Sequence, residues 1–348
     1  MKKFLLVTLC LIIVSVSFFG CAQKQAPAAA AAPAASPVSS NEEYVFMMAQ
    51  AGLEYWNQHI NAMYDATSDL GVKYSIVGVR GTDANDICDA METVIARKPA
   101  GVIIAGWYPD AMTPIIDRAW NAGVPFATTT IDVPNSKRLV FLGTNYYNYG
   151  RMLMDAAAEA CGGRGKVIIA AQLKAGNQAQ MDGYNGQLDC LKEKYPGMTV
   201  AATVESGADA EICAQSIASA LQTHPDTAVL IGQDAVFGSA SVTALREVGL
   251  LGKIKIVAVD RDAPTLEGIR DGHIYAALAG KQYAEVYYAV KFLYDYNHNK
   301  VPLVADNKAY GILAQPLVCD PGAIVINAKN IKAIMEYDIN KIKDPNYR

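Results

Sequence analysis

"KPAGVIIAGWYPDAMTPIIDRAWNAGVPFATTTID" (98–132) has a counterpart further along the chain, "HPDTAVLIGQDAVFGSASVTALREVGLLGKIKIVAVD" (224–260). Each reads Pro, apolar strand, Gly, polar or aromatic loop, helix, Gly, apolar strand, Asp. Pro99 and Pro225 lie 126 residues apart, and the same offset relates Gly106 to Gly232 and Gly123 to Gly249. Any two strand–helix–strand units share glycine punctuation. Three matches at one offset, in one order, predict two similarly folded halves.

Working outward, the same alternation fills the body. Apolar strands are predicted at Tyr44–Ala49, Lys73–Val79, Gly101–Gly106, Val124–Thr130 and Leu139–Gly143, then at Lys166–Gln172, Thr199–Glu205, Ala228–Gly232, Ile254–Asp260 and Tyr275–Ala279. Amphipathic stretches such as Ala84–Arg97, Ala179–Lys194 and Ser239–Val248 lie between them. Runs such as "GVIIAG" and "IKIVAVD" are apolar throughout, as strands covered by helices on both faces must be. The fold class is therefore α/β with parallel sheets and right-handed crossovers.

The ends read differently. Lys2 and Lys3 precede a mainly apolar run, Phe4 to Gly20, which has the pattern of an export signal, with an uncleaved anchor as the alternative reading. "FFGC" resembles a bacterial lipobox, with Cys21 as the lipidated residue; Phe18 stands where a leucine is usual. "AQKQAPAAAAAPAASPVSSNEE" (22–43) has little to bury and reads as a flexible tether. Without residues 1–20 the chain keeps 328 residues and a net charge of −6, with no basic stripe, which argues against nucleic acid. Cys88, Cys161, Cys190, Cys213 and Cys319 then remain, an odd number without a CxxC. Small buried hydrophobes are the simpler reading of these thiols, although an exported protein could pair two of them.

Chemistry-bearing motifs are absent from the sequence: it has no HExxH, no GxSxG and no complete Walker loop. "CGGRGKV" (161–167) precedes a strand instead of following one and lacks the Ser/Thr, so it reads as a helix stop and turn. His59, His224, His273 and His298 show no metal-ligand spacing. No metal, cofactor or catalytic residue is expected. In open α/β sheets ligands bind beyond the carboxyl ends of the strands. The residues there are Tyr55, Trp56, Trp107, Tyr108, Thr130 and Asp132 in the first half. In the second half they are Asn177, Gln180, Gln233, Asp234, Asp260, Lys281 and Gln282. This set is rich in aromatics, amides and carboxylates, the groups that hold a small polar molecule.

The order of segments from Tyr44 to Cys319 resembles the type I periplasmic binding proteins, the ribose/galactose-type sugar-binding proteins of ABC transporters. "VDRDAPTLEGIRDGHIYAAL" (259–278) is similar to that family's strand–Asp–loop–helix–DG–strand segment, and "IDVPNSKRLVFLGTNYYNYGR" (131–151) to its first interdomain passage. "AGVIIAG" and "NAGVPF" fit as well. The resemblance implies two Rossmann-like, three-layer lobes, 44–144 with 281–312 and 145–280 with 313–348, joined by three crossings. These crossings are expected near Gly143–Asn145, Gly280–Gln282 and Ile312–Gln315. It further implies a monomer that captures a carbohydrate-like ligand in the cleft, an ABC permease as partner, and a membrane reached through the lipid on Cys21. Tyr55 and Trp56 would form a stacking wall, with core packing as the competing reading of Trp56. Asp260 would bond ligand hydroxyls, with helix capping or a hinge role as its alternative.

Departures bear on the ligand. Thr130-Ile131 stand where a ribose-type protein carries Asp-Arg, Gln180 stands for an arginine, and Gly280 stands for a glutamine. Two arginine clamps are thereby missing and ribose itself is disfavoured. Two roles share this architecture: a receptor feeding an importer, and a sensing subunit that reports to a membrane kinase or chemoreceptor.

Overall fold

The computed structural model describes residues 40–173, 178–206 and 209–347. The predicted signal, Cys21, nearly all of the tether and Asn177 lie outside the described residues. In chain order the elements are β1 (Glu43–Met48), α1 (Asn57–Leu70), β2 (Lys73–Gly78), α2 (Ala84–Ala96), β3 (Gly101–Ala105), α3 (Pro109–Asn121), β4 (Phe126–Thr129), β5 (Val140–Leu142), α4 (Tyr146–Cys161) and β6 (Gly165–Ala171). There follow α5 (Gln178–Lys194), β7 (Met198–Glu205), α6 (Ala210–Thr223), β8 (Thr227–Gly232), α7 (Phe237–Glu247), β9 (Lys255–Val259), α8 (Ala263–Arg270), β10 (Ala276–Gly280), α9 (Gln282–Asn297), β11 (Val318–Cys319), β12 (Ala323–Asn327) and α10 (Ile331–Glu336).

Two six-stranded sheets result, ordered β11-β5-β4-β3-β1-β2 and β12-β10-β9-β8-β6-β7. Every pairing is parallel except β10 with β12. β1 shows why the strands are apolar throughout. Tyr44, Phe46 and Met48 pack into a core under α1 and α9, while Val45, Met47 and Ala49 face a second core under α2 and α3. The other sheet is sandwiched in the same way, with α6, α7, α8 and α10 on one side and α4 and α5 on the other. These are the two three-layer α/β lobes the alternation predicts.

The echoed glycines have matching physical jobs. Gly123 and Gly249 adopt φ of +84° and +70° just after α3 and α7, where a side chain is strained. A Cβ on Gly106 would stand 2.6 Å from the Ile131 carbonyl, and one on Gly232 would lie 1.9 Å from the Phe237 ring.

The chain passes between the sheets at 143–145 and 280–282. The third passage differs from the expectation at Ile312–Gln315. Val318–Cys319 first add a parallel strand beside β5, and the crossing is made at 320–322, between β11 and β12. The chain must reach the free edge of the first sheet before it can leave it. Residues 339–344, expected with the second lobe, bond instead to α1 and β2 of the first. All five cysteines among the described residues are free thiols. No helix among the described residues is long and apolar enough to cross a membrane.

Candidate functional site

The loop after β1 forms a short 3-10 turn, Glu54–Trp56, that runs into α1. The rotation of a third of a turn between neighbours puts its two aromatics in opposite environments. Trp56 is 1% exposed and belongs to the core, with its ring 5.9 Å from Phe46, 4.9 Å from His59 and 6.5 Å from Trp107. It cannot be the stacking wall; it is the floor beneath Tyr55. Tyr55 is 43% exposed and its ring stands 4.9 Å from that of Trp56, edge to face. Buried His59 completes the support, its imidazole stacked on Phe46 and pushed down to about 3 by burial, so it is neutral.

Tyr55 leads to a polar chain. Its hydroxyl lies 3.5 Å from that of Thr130, and Thr130 Oγ1 donates to Glu285 Oε2 at 3.4 Å. Glu285, in the first turn of α9, is only 3% exposed. Burial pushes its carboxyl up to about 8, against bonds from Thr130 that favour the charged form, with Asp320 adding repulsion. Across the cleft, Asp260 ends β9 and burial raises it to about 6, helped by Asp262 and Asp234. The Tyr146 hydroxyl is raised to about 12, first by burial and then by Glu285 and Asp260, one carboxyl from each lobe. The Tyr146 hydroxyl thus lies within electrostatic reach of a carboxyl from each lobe.

The second lobe contributes an amide–carboxylate cluster. Gln172 Nε2 and Gln180 Nε2 donate to Asp234 Oδ1 at 2.8 and 3.1 Å, and Ser206 Oγ donates to Asp234 Oδ2. Gln180 also reaches the Gln233 carbonyl at 3.2 Å, and the Gln233 side chain returns a 3.4 Å bond to the Gln180 carbonyl. Lys281 and Gln282 stand in the second crossing, where the Gln282 amide packs against Gly280.

Three strand ends are held in an unusual backbone. Gln50, Thr130 and Asp260 follow β1, β4 and β9 with φ of +51°, +61° and +67°. Left-handed non-glycine residues cost about 1–3 kcal/mol each and collect at binding sites.

Other expected site residues have structural duties. The Asp132 carboxylate is saturated by the Arg138 guanidinium, Thr128 Oγ1 at 2.9 Å and the Val133 amide at 2.7 Å, so it fastens the loop before β5. Tyr108 gives its hydroxyl to the Thr82 carbonyl. Trp107 is half-buried beside Trp56. Glu285, Ser206 and Tyr146 were not anticipated. They sit on helices and a loop with no motif around them; Glu285 is marked only as a carboxylate one helical turn beyond Lys281. Among the described residues no cluster of metal-ligating side chains occurs.

No curated protein matches the chain. An arabinose-binding protein of Geobacillus stearothermophilus superposes with a TM-score of 0.76 at 28% identity, over 84% of this chain and 99% of its own. A sugar-binding protein of a sugar ABC transporter from Bacillus halodurans gives 0.78 at 26%, over 84% and 99%. A solute-binding protein of Burkholderia graminis, in complex with D-arabinose, gives 0.67 at 25%, over 84% and 98%. These neighbours share the type I arrangement of two α/β lobes. Residues 44–300 match the periplasmic binding protein domain, and with that match over most of its length, the chain belongs to the periplasmic binding protein family.

Proposed function

We propose that this chain is an extracytoplasmic lipoprotein that captures a small, neutral, carbohydrate-like molecule between its lobes and delivers it, chemically unchanged, to an ABC importer. The observation that carries this reading is the composition of the cleft. The carboxyl ends of two parallel sheets present Tyr55, Thr130 and Glu285 against Asp234, Asp260 and Tyr146. An aromatic face suits the C–H side of a sugar ring, and carboxylates and amides suit its hydroxyls. The left-handed backbone of Gln50, Thr130 and Asp260 supports this reading, since such strain collects at binding sites. The D-arabinose bound by a neighbour makes pentoses the first compounds to try.

The test is calorimetry with D-arabinose and a panel of neutral pentoses and hexoses, on the native protein and on Asp260→Asn. Asparagine tolerates the left-handed backbone but removes the carboxylate. We expect saturable binding that weakens by about 1–3 kcal/mol in the variant. A panel without a binder, or an Asp260→Asn protein with native affinity for the sugar that binds, would contradict the reading. Loss of palmitate labelling in Cys21→Ser would support the anchor, and a permease encoded beside this chain the delivery.

A further inference from the structure

The chain does not end where the second lobe ends. α10 packs on α8 and β12, with Ile331 and Ile334 in the second lobe's core. Three residues after α10 ends, at Ile339, the chain is attached to the first lobe. Asn61, fully buried in α1, donates from Nδ2 to the Ile339 carbonyl at 2.9 Å and the Lys341 carbonyl at 3.0 Å, and its Oδ1 accepts from the Lys343 amide at 2.8 Å. Asn57 Nδ2 reaches the Asn340 carbonyl at 3.0 Å, and Asn340 Nδ2 reaches Glu54 Oε1 at 3.0 Å. Lys343 pairs with Asp65, Asp344 accepts from the Tyr74 hydroxyl, and Ile342 and Tyr347 pack on the first lobe's core.

Only Tyr337 and Asp338 bridge the two attachments. From Glu336 to Ile339 is three Cα steps, about 10–11 Å at full extension. This bridge runs past Glu54, in the loop after β1, and Arg261, in the loop after β9. Those loops stand at the carboxyl ends of the two sheets, on opposite sides of the cleft. The seam beneath the bridge is not packed solid: a cavity of about 210 Å³ lies between Glu54, Arg261, Leu266, Tyr337 and Asn340. The bridge is thus anchored at both ends and crosses an unfilled seam.

We infer that residues 337–344 form a fourth connection between the lobes, a short strap that limits how far the cleft can open. This rests on the reading of two lobes that move about the crossings at 143–145, 280–282 and 320–322. Opening separates the β1 and β9 loops. Once the slack of two residues is taken up, further opening must either pull the tail from Asn61 or pull α10 from the second lobe. The strap also holds Glu54, the neighbour of Tyr55, so the stacking residue is positioned from the far end of the chain.

Small-angle scattering of three ligand-free proteins tests the strap. One is native, one ends at Glu336, and one carries Gly-Ser-Gly-Ser inserted between Tyr337 and Asp338. The insertion leaves both attachments intact and adds only slack, so it should melt at the native temperature. Both variants are expected to shift to a larger radius of gyration and a longer maximum dimension. An insertion variant whose scattering superposes on native would overturn the strap, even if truncation expands the protein, because the tail would then act as ordinary packing. These curves contain no ligand, so a failure of every sugar to bind would refute the transport reading and leave this result standing on its own.

Discussion

Tyr55 and Trp56 are adjacent, both aromatic, and divided by burial: 43% of one is open and 1% of the other. Their substitutions should fail differently. Tyr55→Ala should weaken sugar binding by about 1–3 kcal/mol with little change in melting temperature. Trp56→Ala should remove about 3–5 kcal/mol of stability through the cavity it leaves; equal melting temperatures for the two would contradict this division. Glu285 gives a pH signature. Its carboxyl lies near 8 in the folded protein against an ordinary 4.5. Between those values the folded state binds the proton and the unfolded state does not, so this group's contribution to stability falls as pH rises through that window. His59 acts oppositely: its folded value near 3 against 6.5 makes stability fall as pH drops between them. Glu285→Gln should therefore melt higher than native at pH 8, by at least about 1–2 kcal/mol, and match it near pH 4. A constant difference across that range would mean the carboxyl is not held protonated. The sequence pointed to Tyr55, Asp234 and Asp260 because strand ends are readable from apolar runs. It could not separate Tyr55 from Trp56, since a 3-10 turn rotates neighbours by a third of a turn and leaves no pattern. Asp132 looked like a ligand group because its partner Arg138 is six residues away in a loop.

At the level of elements, the ten strands predicted between Tyr44 and Ala279 all form, with ends shifted by a residue or two. Four- to eight-residue apolar runs between glycines and polar loops are strong signals. β11, with two residues, carries too little apolar sequence to stand out, whereas the apolar run of β12, Ala323–Asn327 after Gly322, was readable and is missing from the expected strands. The most demanding element contact is that of α4 with α5. A Cβ on Gly150 would stand 1.9 Å from the Gly183 carbonyl, and one on Gly186 would stand 2.0 Å from the Tyr147 carbonyl. Backbone meets backbone there, leaving no flexible side chain to yield. Gly150→Ala should gain helix propensity of about 1 kcal/mol and still lose, net, about 1–3 kcal/mol by forcing the helices apart. Thermal melting is the check, and a variant as stable as native would show that α5 can shift freely. Because α4 carries Tyr146 and α5 carries Gln180, sugar affinity should fall with stability.

For the whole molecule, an internal echo and a run of alternating strands and helices were enough to specify two lobes. The order of the passages between them was less legible, because a crossing is defined by where edge strands lie in space. If the lobes hinge, a saturating sugar should reduce the radius of gyration, since ligand contacts from both lobes favour the closed arrangement. An unchanged radius across a measured binding curve would indicate a rigid cleft. The distribution of the chain over the lobes has a further consequence, for the order in which the protein is made. The second lobe is nearly continuous, from Tyr146 to Gly280 with β12 and α10 added. The first lobe is assembled from both ends of the chain: β1 to β5, then α9 and β11, then the residues that satisfy Asn61. A chain emerging amino end first thus displays an uncovered sheet and an unpaired Asn61 amide until residues 339–343 arrive. The lobe that begins first finishes last, and in the meantime its β5 edge and the α1 surface are the places where holding factors, or misassembly, would act.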